Sequence, residues 1–557
     1  MDFKDIFATG SAKVLGISKK DILHLIEVPP NQDLGNYALP CFTLSKQTKK
    51  KPSDIATILA EQFKEKGIIK IVANGPYANA FVDPEQLAKH VLTTIHKQKK
   101  TYGTTTVGKG KTIVIDYSSP NIAKPFGIGH LRSTVIGHAI RNILHKQGYT
   151  VVGVNHIGDW GTQFGKLIVA HELWGDAQQL EKEPINHLLS IYVKFHEEAK
   201  INPQLEDDAR KAFKELEEGN KQRLKQWEIF KKLSLEEFKK YYEQLNVSFD
   251  SYHGEAFYND KLESAITTLQ KKVKTVTDDG ALIVDLEQEK MPPFILKKTD
   301  GASTYHTRDL AAALYRLKTY KPHHILYVVG SPQKLHFNQL FTVLQKMGTN
   351  KETFIHVDFG HFLGMSTRKG NIIFLEEVLD KAIALAEQTI EEKNPDLPNK
   401  KTVAQQIGIG AVIFADLRND RVKDAVFDWK KFITFDGETA PYIQYTHARC
   451  CSILKKAPKL PSTYQWKLLT SPEEQALINH LSTYEDTIAQ AAQQYKPSII
   501  ARYLLDLCAL FNTFYTHHKV LGDNKEQTAA RLLLVSCTKT VIASGLTLLG
   551  IHAPEAM

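Results

Sequence analysis

The stretch that decides the fold runs from Lys111 to Gly158, KTIVIDYSSPNIAKPFGIGHLRSTVIGHAIRNILHKQGYTVVGVNHIG. It opens on a β-branched run, KTIVIDYS, and breaks at a loop interrupted by Pro and Gly. An apolar stripe at helical spacing follows, and TVVGVNHIG closes the stretch as a second strand pattern. Strand, helix and strand in that order predict a βαβ unit and a parallel sheet. Ligands of such sheets sit beyond the C-terminal ends of the strands, where the loop from Ser119 to Gly129 falls. A helix starting near Gly129 and His130 aims free backbone amides and its positive dipole end into that crevice, a setting suited to phosphate. Gly127 and Gly129 permit close backbone approach, and Lys124 and His130 can donate hydrogen bonds to oxygen. On these residues alone a plain strand-to-helix turn fits equally well.

Working outward, the chain reads as a multidomain α/β protein. Residues 1–105 predict a small α/β domain, in which two helical patterns flank the strand pair IIKIVANGPYANAFVD. The basic run KQKKTYGTTTVGKGK reads as a linker. Residues 111–400 predict a doubly wound parallel-sheet domain of Rossmann type. Its second half is read from GALIVDL, RDLAAALYRLKTY, HHILYVVGSP and LHFNQLFTVLQKMG. Within it, about 176–250 is charged, lacks strand signals and predicts a helical insertion. From 401 to 557 helical periodicity dominates, as in PSIIARYLLDLCALFNTFYTHH, and predicts an all-α domain.

At 557 residues the chain exceeds what one core accommodates. Its 42% hydrophobic and 24% charged content is that of an ordinary soluble protein. MDFKDIFATG lacks the apolar segment of a secretory signal, and runs such as GIGAVIFADL fall short of a membrane span. Cys41, Cys450, Cys451, Cys508 and Cys537 show neither metal-type nor redox-type spacing, which predicts a reducing cytoplasm. The net charge is +9, with lysines clustered between Ser45 and Ser53 and between His96 and Lys100. These clusters suit either a solvated surface or a face for a polyanion, and composition does not choose between them.

A second loop, in HFLGMSTRKGNIIFLEEVLDKA from His361, places Met365, Ser366, Arg368 and Lys369 between Gly364 and Gly370. Such a tip can fold over a triphosphate and neutralise charge developing on it; it also reads as an exposed basic loop. Tyr442, Tyr445 and Arg449 fall on one face of a helix, where two tyrosines suggest a core stripe and the arginine argues for exposure.

Taken together, these motifs resemble class I aminoacyl-tRNA synthetases, and among them the arginyl-tRNA synthetases. SSPNIAKPFGIGHLRST is similar to the first nucleotide-binding motif of that family and GMSTRKG to the second. NHIGDWGTQFG (Asn155 to Gly165), YHTRD and GETAPYIQYTHAR also fit, so the resemblance extends from the N-terminal domain to the last residue. It implies ATP-dependent attachment of L-arginine to tRNA(Arg) through an arginyl-adenylate, with release of AMP and diphosphate. Mg²⁺ is then expected beside ATP, in a cytoplasmic monomer with no membrane partner.

The resemblance also implies roles. Lys124, His130 and Lys369 surround the phosphates, with Lys124 replacing the usual lysine of the second motif. Gly127, Gly129, Met365, Ser366 and Arg368 complete the ATP site. Ser119, Asn121 and His130 hold the α-amino and carboxylate end of arginine, while Tyr305, Asp309 and Gln333 hold its guanidinium. A planar, permanently charged group is well matched by a carboxylate accepting a bidentate pair. For tRNA it implies Tyr77 and Asn79 in the first domain, and Tyr442, Tyr445, Arg449 and Met557 at the anticodon. Two departures stand out. The first histidine of the first motif is Gly127, and the usual Arg-Met ending is Ala556-Met557. They motivate a second reading, a relative that binds tRNA without charging it; another nucleotidyl transferase on the same sheet is a third.

Overall fold

The computed structural model describes residues 2–29, 31–363, 373–426, 437–457 and 464–557. Met365, Ser366, Arg368 and Lys369 lie outside the described residues. In the first part of the chain, β1 (Tyr37–Pro40), β2 (Ile68–Asn74) and β3 (Tyr77–Val82) form an antiparallel sheet with β3 in the middle. The helix Pro84–Gln98 follows at once. Asp83 caps it by accepting from the amides of Glu85 and Gln86, and Pro84 supplies the preset first turn. Its buried stripe is Leu87, Ala88, Val91, Leu92 and Ile95.

The central sheet begins with β4 (Thr112–Asp116) and β5 (Thr150–Val154), joined by the helix Ile128–Lys146. Gly137 lets that helix settle on the sheet, since a Cβ there would come within 2.3 Å of the Tyr117 Cβ. After the helical insertion come β6 (Val276–Asp278), β7 (Ala281–Val284) and β8 (Phe294–Lys297), then β9 (His324–Tyr327) and β10 (Phe354–His356). The strands β10, β9, β4 and β5 lie in that order and all pair in parallel. The chain therefore winds outward from β4 on one side and then from β9 on the other, leaving a crevice where the two windings diverge.

One reading needs correction. GALIVDL is not a strand of the parallel sheet: it forms β7, the middle of a separate antiparallel sheet with β6 and β8. Asp279 and Gly280 both have positive φ, 43° and 82°, and turn β6 straight back on itself as a two-residue hairpin.

The insertion consists of the helices Ala177–Lys182, Pro184–Ile201, Gln204–Glu217 and Lys221–Gln244, the last running back onto the central sheet's loops. Beyond it, the helices Lys400–Leu417, Ala440–Lys456, Pro472–Ser482, Tyr484–Gln494, Pro497–His517 and Lys525–Leu548 build the C-terminal part. By length and composition Lys525–Leu548 could cross a membrane, but most of it is buried between the helices Pro84–Gln98, Ala440–Lys456 and Pro497–His517. First and last parts of the chain meet there. Asn36 Nδ2 donates to Asn479 Oδ1 at 2.8 Å, and the Tyr102 hydroxyl donates to the Leu481 carbonyl at 3.1 Å.

Candidate active site

β4 ends in Asp116, and this carboxylate organises the crevice. Its Oδ2 pairs with Arg316 at 2.8 Å, both side chains being buried, and its Oδ1 accepts from Ser119 Oγ at 2.9 Å. Arg316 belongs to the helix Tyr305–Tyr320, so the strand, the loop after it and that helix are tied at one point. Seven residues before Arg316, on the same face of the helix, stands Asp309.

The loop after β4 is strained and held from all sides. Ser118, Ser119 and Ala123 adopt φ of 72°, 49° and 58°, which non-glycine residues rarely do outside functional sites. Ser118 N–H donates to Ser133 Oγ (2.9 Å), which itself donates to the Val328 carbonyl just past β9 (2.7 Å). Ser119 N–H donates to Asn155 Oδ1 (3.1 Å), whose Nδ2 donates to the Tyr242 hydroxyl (2.9 Å). Ala123 N–H donates to Ser234 Oγ at 2.9 Å. Tyr242 and Ser234 lie on the helix Lys221–Gln244, so the insertion clamps the loop. Asn121 pairs with Gly158, where a Cβ would fall 2.0 Å from Asn121 Oδ1, so a side chain there would have to turn the Asn121 amide aside.

The residues expected at the phosphate end lie around the start of the helix Ile128–Lys146. The helix starts at Ile128, with Gly127 before it. Gly127 N–H donates to His130 Nδ1 at 3.2 Å, so in the neutral ring the proton sits on Nε2, free to be donated. Burial, then the nearby Lys124 charge, pushes the His130 pKa down to about 4. The imidazole is neutral at physiological pH. Lys124 is half-buried 6.0 Å from the Tyr192 ring centre, and desolvation lowers its pKa from the usual lysine value. Gly129 is exposed, and a Cβ on it would meet open space. Ile128 N–H donates to the Ile373 carbonyl (3.0 Å) and Leu375 N–H to the Phe126 carbonyl (2.9 Å), tying this loop to the chain that leaves the second motif.

Tyr305, Asp309 and Gln333, expected at the guanidinium, lie among neighbours the sequence did not single out. Tyr305 is 56% exposed at the mouth, stacked on His306 with ring centres 4.1 Å apart. Asp309 is half-buried behind it. His336 Nε2 donates to Asp309 Oδ2 at 2.6 Å, while His156 Nε2 stands 3.8 Å from Oδ1. Burial would raise the Asp309 pKa, but the His336 hydrogen bond and the charges of His336, His156 and Arg316 outweigh it and hold the carboxyl below its usual value. Gln333 is exposed on the single turn Ser331–Gln333, one residue before the helix that carries His336.

Lys124 and the neutral His130 thus stand on the loop after β4 and the helix turn that closes it, and Asp309 sits on the helix tied to that loop through Arg316, Asp116 and Ser119. The family comparisons agree with this arrangement. A model described as tRNA synthetases class I (R), catalytic domain, matches residues 91–429; the Arginyl tRNA synthetase N terminal domain matches 2–82, and the DALR anticodon binding domain 443–557. Arginine–tRNA ligases of Halothermothrix orenii and Exiguobacterium sibiricum are 46% and 47% identical to the chain, the former over the full length of both proteins. The chain belongs to the arginyl-tRNA synthetases.

It is an arginine–tRNA ligase, with ATP as substrate. The Thermus thermophilus arginyl-tRNA synthetase structure superposes over 100% of the chain and 99% of its own with a TM-score of 0.85 at 25% identity. That of the Plasmodium falciparum enzyme gives 0.82 at 24% identity, which speaks to the fold alone.

In the synthetase's anticodon-binding domain, Tyr442, Tyr445 and Arg449 do share one face of the helix Ala440–Lys456. Asn512 joins two of them: its Nδ2 donates to the Tyr442 hydroxyl (3.0 Å), and its Oδ1 accepts from Arg449 (2.7 Å). The Arg449 guanidinium lies between the rings of Tyr445 and Tyr515, 4.7 and 5.2 Å from their centres, and Tyr445 is 50% exposed. Met557 packs against Ile390 and Ile407, its carbonyl accepting from Asn394 Nδ2 at 3.0 Å. Cavities of about 700 and 590 Å³ meet at Tyr445 and Met557. The N-terminal candidates differ. Tyr77 is half-buried edge-on against exposed Phe42, whereas Asn79 is only 4% exposed on the central strand and offers tRNA little surface.

Asp116, Tyr242 and His336 were not singled out from the sequence, and Asn155 and His156 only as part of the motif NHIGDWGTQFG. The aspartate closing a strand beside the loop, and a histidine three residues beyond Gln333, were the available signals.

Proposed function

We propose that the crevice binds ATP and arginine with the two reacting groups meeting at the loop after β4. Ser119 and Asn121 take the α-amino and carboxylate end, with the loop's strain and clamps supporting a preorganised cradle. The carboxylate attacks the α-phosphate; Lys124 and the Nε2–H of His130 offset the charge that develops there, and the backbone at Gly127 and Gly129 admits the nucleotide. Met365, Ser366, Arg368 and Lys369 complete the phosphate contacts. The terminal ribose hydroxyl of tRNA(Arg) then displaces AMP from the adenylate. Mg²⁺ accompanies the ATP phosphates as their counter-ion.

Tyr305, Asp309 and Gln333 read the guanidinium. The observation that carries this is the Asp309 carboxylate, held ionised and facing the crevice from a helix anchored to β4. Tyr442, Tyr445, Arg449 and Met557 take the anticodon; Tyr77 and the neighbouring lysines, with Asn79 as a backbone support, face the rest of the tRNA. The enzyme works as a cytoplasmic monomer, a setting that suits its five free cysteines, four of them buried.

Asp309→Asn tests the arginine site. Losing the counter-charge costs about 3 kcal/mol, on the order of a hundredfold in kcat/KM for arginine, with the KM for ATP unchanged. Wild-type arginine use in this variant would remove Asp309 from the pocket.

A further inference from the structure

The Asp309 carboxylate is not left to find its own orientation. His336 is buried, 8% exposed, with the rings of Tyr305, His306 and Phe337 centred 5.0, 5.1 and 5.2 Å away. Its imidazole cannot turn without displacing them. From that slot Nε2 donates to Oδ2 of Asp309 at 2.6 Å, and Nδ1 is buried without a hydrogen-bond partner. A short carboxylate one turn from a helix end has several rotamers, and binding that waits for one of them loses affinity in proportion.

We propose that His336 is the positioning residue of arginine selection: by taking Oδ2 at 2.6 Å it pins Asp309 so that Oδ1, with His156 Nε2 no closer than 3.8 Å, is the oxygen left to receive the guanidinium. The inference rests on the reading of Asp309 as the guanidinium partner. It also biases that contact. Oδ2 already accepts from His336, so the guanidinium meets Asp309 chiefly at Oδ1, and its other donors reach neighbours such as the Tyr305 hydroxyl. A planar fork with several donors meets that arrangement; an ammonium, which cannot span separated acceptors, meets it poorly.

The test uses the full-length enzyme and steady-state charging of tRNA, comparing His336→Phe, which keeps a ring in the slot but removes the donor, with His336→Gln, which retains a donor near Nε2. His336→Phe is expected to raise the KM for arginine on the order of tenfold, leaving the KM values for ATP and tRNA and the melting temperature close to wild type. His336→Gln is expected to recover most of the loss. In an Asp309→Asn background, His336→Phe should add little. Wild-type arginine KM in His336→Phe, or equal rises in all three KM values that His336→Gln does not reverse, would overturn the inference. Should His336→Phe fail to fold, a His336→Gln enzyme whose arginine KM is raised tenfold overturns it and one near wild type supports it. Asp309→Asn with unaltered arginine KM would instead sink the parent reading, and this one with it.

Discussion

Gly127 has φ −86° and ψ 163°, a conformation any residue can adopt. Its glycine is thus no demand of the backbone, and it leaves no imidazole at this point of the loop. His130 keeps a neutral ring with its proton on Nε2, because Gly127 N–H occupies Nδ1. We expect Gly127→His to fold normally and to raise kcat by no more than about tenfold, the worth of one added neutral hydrogen bond felt only in the transition state. Pre-steady-state charging rates would show it, and a fall in rate would mean that the site has been rebuilt around the glycine. With the full chain matching arginine–tRNA ligases, the reading of a tRNA binder that does not charge loses its motive at this position.

At the scale of elements, the helix Ala440–Lys456 presents Arg449 as a plane between Tyr445 and Tyr515. Removing it should weaken tRNA use by roughly 1–3 kcal/mol, the range for one lost stacking partner. Arg449→Ala is therefore predicted to raise the KM for tRNA by tenfold or more at unchanged KM for ATP; loss of both would assign the arginine a structural role. This face was legible because helical spacing places the three side chains together whatever the tertiary setting. The loop after β4 was legible for a similar reason: Pro and Gly punctuate it, and its strand and helix neighbours are local. GALIVDL was not. A buried run of that length fits either sheet, and the Asp279-Gly280 turn, which decides between them, was the signal to weigh. Nor could spacing reveal that Ser234 and Tyr242 reach back across the insertion to Ala123 and Ser118, or that His336 meets Asp309. Those contacts join segments distant in sequence, and only the packed helices define them.

Across the whole molecule, the phosphate-site helix is locked to the C-terminal half by the buried pair Arg132–Asp416 at 2.8 Å. Arg132 also donates to the carbonyls of Gly360 (2.6 Å) and Lys423 (3.2 Å). Arg421 continues the link by donating to the Tyr495 carbonyl at 3.0 Å and pairing with Asp358. The same burial that makes the fold compact makes it acid-sensitive. His130, His138 and His306 have pKa values pushed down to about 4, in each case chiefly by burial. Unfolded, each binds a proton near pH 6.5. Between these limits the unfolded chain holds more protons, so stability is full above about pH 6.5 and falls as pH drops toward 4. Glu255, pushed up to about 6 by burial, and Glu485 and Asp416, also raised by burial, work the other way, but burial lowers further histidines too, among them His356, His447 and His480. Urea midpoints should fall from pH 7 to pH 5; an unchanged midpoint would mean that these rings are solvated. The most direct measurement of the central claim is a crystal structure with L-arginine and a non-hydrolysable ATP analogue bound. The guanidinium is expected on Asp309 Oδ1 with His336 still on Oδ2, and the triphosphate against His130 and Lys124. Arginine lodged away from Asp309, or a nucleotide that leaves the loop after β4 untouched, would contradict it.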